Sequence, residues 1–166
     1  MKKILIGSLI AIVVYVSCSK SSSTGSQYPC NLNYDTCALK APSNEIDTVE
    51  AYLTANNITG AVKHCSGMYY KIDSTGTGKS AGVCSTIIAK YSGVLSNGTV
   101  FQDQTTGQLP VSQLIAGFKN GILLIKEGGG ITLYVPPTLA YGNQQVGSKI
   151  PPNSMLIFQV NLVSVQ

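Results

Sequence analysis

The side chains best placed to do chemistry lie in the C-terminal third of the chain. Ile131 to Gly142 reads ITLYVPPTLAYG. Ile131, Thr132, Leu133 and Tyr134 suit a strand, and two prolines then stop it, because neither can donate to a sheet ladder. The chain turns and presents Tyr141, a phenol, just before a glycine. Ile150-Pro-Pro-Asn-Ser-Met-Leu-Ile-Phe158-Gln-Val answers this stretch further on. Together the two read as the wall of a pocket lined by Tyr141, Ile150 and Phe158. There is no Ser/His/Asp set and there are no paired carboxylates, so the pocket offers apolar surface and a hydroxyl but no evident nucleophile.

Cysteines are the other reactive group. Cys30, Cys37, Cys65 and Cys84 form an even set in a chain that reads as exported, which suggests disulfides. Of the three possible pairings, Cys30–Cys37 is preferred because it closes the short CNLNYDTC loop, with Cys65–Cys84 flanking one predicted hairpin. Zinc is the weaker reading, because there is no Cys-x-x-Cys and the single histidine, His64, has no partner at ligand spacing. No metal or cofactor is expected, and His64 is expected at the surface. Two apparent phosphate motifs fail. Gly78-Lys79-Ser80 would need a glycine where Asp73 stands. Gly76-Thr-Gly78-Lys-Ser-Ala81 leads into a β-branched strand and so lacks the helix N-terminus that binds phosphate.

Composition narrows the partners. Charged residues make up 11% of the 166 positions, and all eleven basic residues are lysines. Without arginine, the usual bidentate reader of phosphates and bases, nucleic-acid binding is not expected. The N-terminus reads as an export signal: Lys2 and Lys3, then an apolar run from Ile4 to Val16, shorter than the ~20 residues a bilayer takes. Val16-Ser17-Cys18 resembles the lipobox of bacterial lipoproteins, with Tyr15 as a departure. Residues 1–17 are thus expected to be a signal peptide and Cys18 the lipidated residue. The Ser-rich stretch after it cannot bury enough to fold. Residues 18–41 are expected to form a flexible tether carrying the Cys30/Cys37 loop. The expected location is the cell envelope, lipid-anchored to a bacterial membrane, with the periplasmic face of the outer membrane favoured and the inner membrane left open by Lys20.

The elements that must position the pocket follow from periodicity. Within the segment 42–65, Pro42 to Asn57 predicts a helix that Ser43 caps, with Ile46, Val49 and Leu53 on one docking face. From Ser66 the pattern turns to β. Met68, Tyr70 and Ile72 alternate with polar neighbours, and Val83 to Tyr91 predicts a second strand. Ser92-Gly93 and Asn97-Gly98 predict turns, Thr99 to Phe101 a strand, and Gln104 to Pro110 a loop. Val111 to Ile125 carries the one helical signal of this region. Gly117 and Gly121 weaken that helix by roughly 1 kcal/mol each relative to Ala, which is acceptable if they let it lie close to a sheet. In the last strand Leu156, Phe158, Val160 and Leu162 alternate with outward residues. The order predicts an α+β fold: an antiparallel twisted β-sheet wrapped around one short central helix, with an N-terminal helical appendage.

Residues 66–166 resemble the FKBP-type peptidyl-prolyl isomerases. Tyr91-Ser-Gly93 is like the family's Tyr-Thr-Gly, and Asn97-Gly98-Thr-Val-Phe101 is like its Asp-Gly-x-x-Phe. Leu114-Ile115-Ala-Gly117-Phe118 is like its Val-Ile-x-Gly-Trp. Val135 to Gly142 is close to its Ile-Pro-x-x-x-Ala-Tyr-Gly, and Ile150 to Phe158 to its Ile-Pro-Pro-x-x-x-Leu-x-Phe. The resemblance implies a proline pocket in which Phe118 is the floor. Tyr91, Phe101, Gln102, Ile150 and Phe158 would bind substrate, and the Ile115 N–H and Tyr141 hydroxyl would hold substrate carbonyls. All three phenylalanines of the chain fall on these positions. Three departures stand out. Phe118 replaces Trp, Gln102 replaces Asp, and the 104–110 loop lacks a common aromatic.

The resemblance implies isomerisation of X–Pro bonds in exported polypeptides, assisting their folding, by an apolar pocket that favours the twisted amide. The departures motivate an alternative, a non-catalytic FKBP-like binding or chaperone lipoprotein. A third reading makes the domain a structural spacer. A monomer is favoured.

Overall fold

A computed structural model describes residues 30–166. The expected signal peptide, Cys18 and the first part of the tether lie outside the described residues. Helix α1 is Ser43–Ala55 and α2 is Ala116–Ile122. The strands are β1 Val62–Lys63, β2 Tyr69–Ser74, β3 Thr86–Leu95, β4 Val100–Pro110, β5 Gly130–Val135 and β6 Leu156–Val165. They form one antiparallel sheet in the order β1-β2-β5-β6-β3-β4.

The alternation in β6 sets the layering. Leu156, Phe158, Val160 and Leu162 are all buried toward α2, and they join Ile87, Leu133, Val135 and Ile122 in the main core. The glycines of α2 do what their spacing suggests. A Cβ on Gly117 would lie 2.3 Å from Val135 Cγ1, and one on Gly121 would lie 2.3 Å from Leu133 Cδ2. The helix therefore packs with its backbone against β5.

The opposite sheet face is covered by α1. Val49 and Leu53 are buried there against Tyr134, Met155 and Ile157. Ser43 does not cap this helix; Pro42 occupies the cap position without a side-chain bond. The first-turn carboxylate of Glu45 instead accepts from the Thr138 N–H and hydroxyl, both at 2.8 Å, which ties α1 to the corner after β5. At the other end Asn57 takes φ +53°, and the Ile58 and Asn57 N–H groups donate back to the Leu53 and Thr54 carbonyls, a Schellman ending.

Several expectations are corrected. The disulfides are Cys30–Cys84 and Cys37–Cys65, with Cα–Cα distances of 5.3 and 5.4 Å, not the local pairs. Asn31 and Asp35 each accept from the N–H two residues on, and these turns, with Tyr34 anchored on Asn120, spread residues 30–37 across α2. Residues 30–41, expected as the end of a flexible tether, are thus fastened to the domain. The expected loop 104–110 is strand: β4 keeps register with β3 from Thr105↔Tyr91 to Pro110↔Thr86. Its polar residues suit an edge strand, where one side of the ladder faces water. Ser92-Gly93 lies inside β3, at a register shift, and makes no turn. The helical signal from Val111 to Ile125 breaks up into a 3-10 turn at Val111–Gln113, extended Leu114 and Ile115, and then α2. Ile72, expected on a buried face, is exposed near the end of β2.

Candidate functional site

Six separate segments bring the predicted pocket together. Phe118, in the first turn of α2, and Phe158, on β6, are 3% and 5% exposed and form the base. Tyr91 comes from β3 and Phe101 from β4. Ring centroids are 5.8 Å apart for Tyr91–Phe118, 5.2 Å for Phe118–Phe158 and 5.5 Å for Phe101–Phe158. All three pairs are edge-on, the geometry in which the positive edge of one ring meets the negative face of the next. Gly93 makes this possible. It pairs with Phe158 across the sheet, and the Phe101 ring lies where its Cβ would be, with Cζ at 2.3 Å.

The prolines of the opening stretch act as expected. β5 ends at Val135, and Pro137–Leu139 forms a 3-10 turn. The Ala140 and Gly142 N–H groups both donate to the Pro137 carbonyl, at 2.9 and 2.8 Å. Gly142 takes φ +59°, and its carbonyl accepts from the Asn153 N–H at 2.7 Å. Tyr141 is held in this corner and points across the aromatic base. Burial, with a smaller contribution from Tyr91, raises its pKa, so the phenol stays a proton donor. Residues 146 and 150 form an antiparallel bridge, a small hairpin that presents buried Ile150.

The resulting cavity has a volume of ≈ 440 Å³ and is lined by Tyr91, Phe101, Gln102, Tyr141, Ile150 and Phe158, with residues 146–149 at its edge. A smaller hollow of ≈ 210 Å³ shares Tyr91, Tyr141 and Phe158 with it and adds Ile115, Phe118 and Leu109. Every predicted pocket residue therefore lines this connected depression. No carboxylate or histidine lines either part among the described residues. Asp103, one place after Gln102, is exposed on β4 and does not reach the cavity. Leu109, Leu114 and Val146 were not foreseen. Leu109 supplies an aliphatic wall from the part of β4, residues 104–110, expected as loop, where no sequence signal points to it.

His64 is half-buried, not a free surface residue. Its Nδ1 accepts from the Ser66 N–H at 3.2 Å, and burial lowers its pKa. One of its ring nitrogens and the Cys37 and Cys65 Sγ atoms lie within 4.8 Å of one another, a cluster that sequence spacing does not reveal. The two sulfurs are bonded to each other, so they offer no thiolate to a metal.

Comparison with known proteins agrees with this geometry. The model of the family described as FKBP-type peptidyl-prolyl cis-trans isomerase matches residues 78–163, just over half the chain. The chain belongs to this FKBP family. A probable FKBP-type peptidyl-prolyl cis-trans isomerase FkpA of Neisseria meningitidis serogroup B is 40% identical over 121 residues, covering 70% of this chain and 44% of that protein. An outer membrane protein MIP of Legionella longbeachae is 39% identical over 122 residues, covering 70% of this chain and 52% of that protein. The chain thus spans about half the length of these relatives. The crystal structure of FkpA from Escherichia coli superposes with a TM-score of 0.66 at 30% identity, covering 75% of this chain and 60% of that one. The FKBP pocket motifs fall within the matched region, and the strap from Cys30 to Cys37 lies before it.

Proposed function

We propose that this FKBP-family protein is a peptidyl-prolyl cis-trans isomerase that assists the folding of exported polypeptides. The observation that carries the reading is the carboxylate-free aromatic pocket with the Tyr141 phenol at its rim. Rotation about a peptide bond is opposed by roughly 18–20 kcal/mol, because the C–N bond has double-bond character. In the twisted state conjugation is lost and the amide is less polar. A dry apolar pocket therefore favours the twisted state over the planar one, and each ~1.4 kcal/mol of that difference is tenfold in rate. The proline ring sits on Phe118, walled by Tyr91, Phe101 and Phe158. The Ile115 N–H precedes the first turn of α2 and has no intrahelical acceptor, so it is free to bond a substrate carbonyl. Tyr141 donates to a second carbonyl. Gln102 and Ile150 border the neighbouring substrate residue. No metal or proton relay takes part.

The names of the relatives support a place in the cell envelope. Cys18, after its apolar run, anchors the chain to the membrane through lipid, with the domain on the periplasmic face of the outer membrane. Among the described residues no helix is long and apolar enough to cross a bilayer. A protease-coupled prolyl-peptide assay tests the activity, with Tyr141→Phe and Phe158→Ala beside the unaltered chain. A rate no higher than the uncatalysed one would favour a non-catalytic binding module. Palmitate labelling that persists in Cys18→Ala would remove the lipid anchor.

A further inference from the structure

Asn120 is one of the few polar side chains buried in this domain, at 1% exposed. It sits on α2 two residues after Phe118. Residues two apart lie on roughly opposite sides of a helix. Phe118 faces the pocket, and Asn120 faces away, toward the strap formed by residues 30–37.

A buried amide needs partners for both of its ends. Here the strap supplies both. The Tyr34 hydroxyl donates to Asn120 Oδ1 at 2.7 Å, and Asn120 Nδ2 donates to the Thr36 carbonyl at 2.9 Å. The preceding residue adds a further tie. Lys119 Nζ lies 4.8 Å from the centre of the Tyr34 ring and donates to the Ser112 carbonyl at 3.0 Å, just upstream of Ile115. The strap is itself held at both ends, through Cys30–Cys84 and Cys37–Cys65.

Helix α2 needs such support. It has seven residues, two of them glycine, far short of the ~12–15 at which a helix is marginal alone. Its position is set by what packs on it: Leu133 and Val135 on the sheet side, the strap on the other.

We propose that the strap positions the pocket floor: Tyr34 and Asn120 are positioning residues that hold α2, and through it Phe118 and the Ile115 N–H, in register with the walls on β3, β4 and β6. This inference rests on the isomerase reading of the pocket. Both groups carried by α2 act on the twisted amide, so a looser helix weakens transition-state binding more than ground-state binding.

The test compares two matched substitutions in the full chain. Tyr34→Phe removes one hydroxyl from the strap side. Tyr69→Phe removes one from the opposite sheet face, where the Tyr69 hydroxyl bonds Glu50 at 2.5 Å. Both chains are checked for folding by circular dichroism and thermal melting. Tyr34→Phe is expected to lower kcat roughly three- to tenfold with KM within about twofold, because misplacing a catalytic group acts mainly on the transition state. Tyr69→Phe is expected to keep the unaltered kcat. Asn120→Ala is expected to add little to Tyr34→Phe, since both cut the same link. A folded Tyr34→Phe with unaltered kcat would overturn the proposal, as would an equal loss in Tyr69→Phe.

Amide hydrogen exchange across α2 gives a readout independent of turnover. Tyr34→Phe should exchange faster there and Tyr69→Phe should not. If the unaltered chain is inert, the isomerase reading falls. The strap is then judged on exchange alone, and unchanged protection of α2 would overturn it.

Discussion

Gly93→Ala separates the pocket from the stability of the fold. Gly93 is buried in β3, paired with Phe158 on one side and Gln102 on the other. A methyl there would lie 2.3 Å from Phe101 Cζ and 2.4 Å from Cε2. Carbon atoms rest at about 3.5–4.0 Å, so the ring must move by more than 1 Å, roughly the whole overlap. Phe101 is only partly buried, at the mouth of the cavity, so it can swing out without dragging the sheet. Overpacking costs about 1–3 kcal/mol, and an open exit favours the low end of that range. The swing breaks the edge-on contact with Phe158, worth about 0.5–1.5 kcal/mol. It also strips one wall from the bound proline. If that wall covers on the order of 60 Å² of ring, its loss at ~25 cal/mol per Å² is about 1.5 kcal/mol, or roughly tenfold in kcat/KM. A protease-coupled prolyl-peptide assay reads the rate and a thermal melt reads stability. The expected result is a small loss of melting temperature with about a tenfold loss of kcat/KM. A folded Gly93→Ala with unaltered kcat/KM would refute the assignment of Phe101 as a pocket wall.

Gly121→Ala acts first on stability. In an exposed helix the change stabilises by roughly 1 kcal/mol. Here the new methyl meets fully buried Leu133, so stability should fall by about 1–3 kcal/mol, read by denaturant unfolding. Leu53→Ala empties part of the α1 contact and should cost about 2–5 kcal/mol. Measured on folded protein, kcat should be unchanged, because α1 lies on the sheet face away from the pocket. Tyr141 gives a pH prediction. Its pKa is raised, so the phenol keeps its proton through the ordinary tyrosine value of about 10, and the donor is lost only as pH rises through the higher value. The kcat profile should be flat from about pH 6 to about pH 9, and a step in that window would contradict the role given to the phenol.

The pocket was legible because its residues sit in short local patterns. Tyr141 is fixed by two prolines and a glycine that act within a few residues of it. The spacing of Gly117 and Gly121 likewise announced a helix pressed on a sheet. What stayed hidden depends on contacts distant in sequence. Cys30 and Cys37 are close enough to close a loop, and only the docking of Tyr34 on Asn120 shows why they do not. β4 is polar from Gln102 to Gln108, and the strand form of that stretch rests on pairing with β3 and on an open outer edge, neither visible locally. Ile157 looked outward by alternation and is buried because α1 covers that face. Asn120, next to Lys119 in the sequence, carries no local sign of burial; it is buried because the strap covers it.

In the proposed isomerase an apolar floor, not an ionisable group, speeds rotation about the X–Pro bond. Cis–trans exchange of an X–Pro peptide, followed by NMR with the full chain at catalytic concentration, tests it most directly. The expected result is exchange well above the uncatalysed rate, insensitive to mild acid or base, and largely lost in Phe118→Ala. Exchange that survives intact in a folded Phe118→Ala would contradict it.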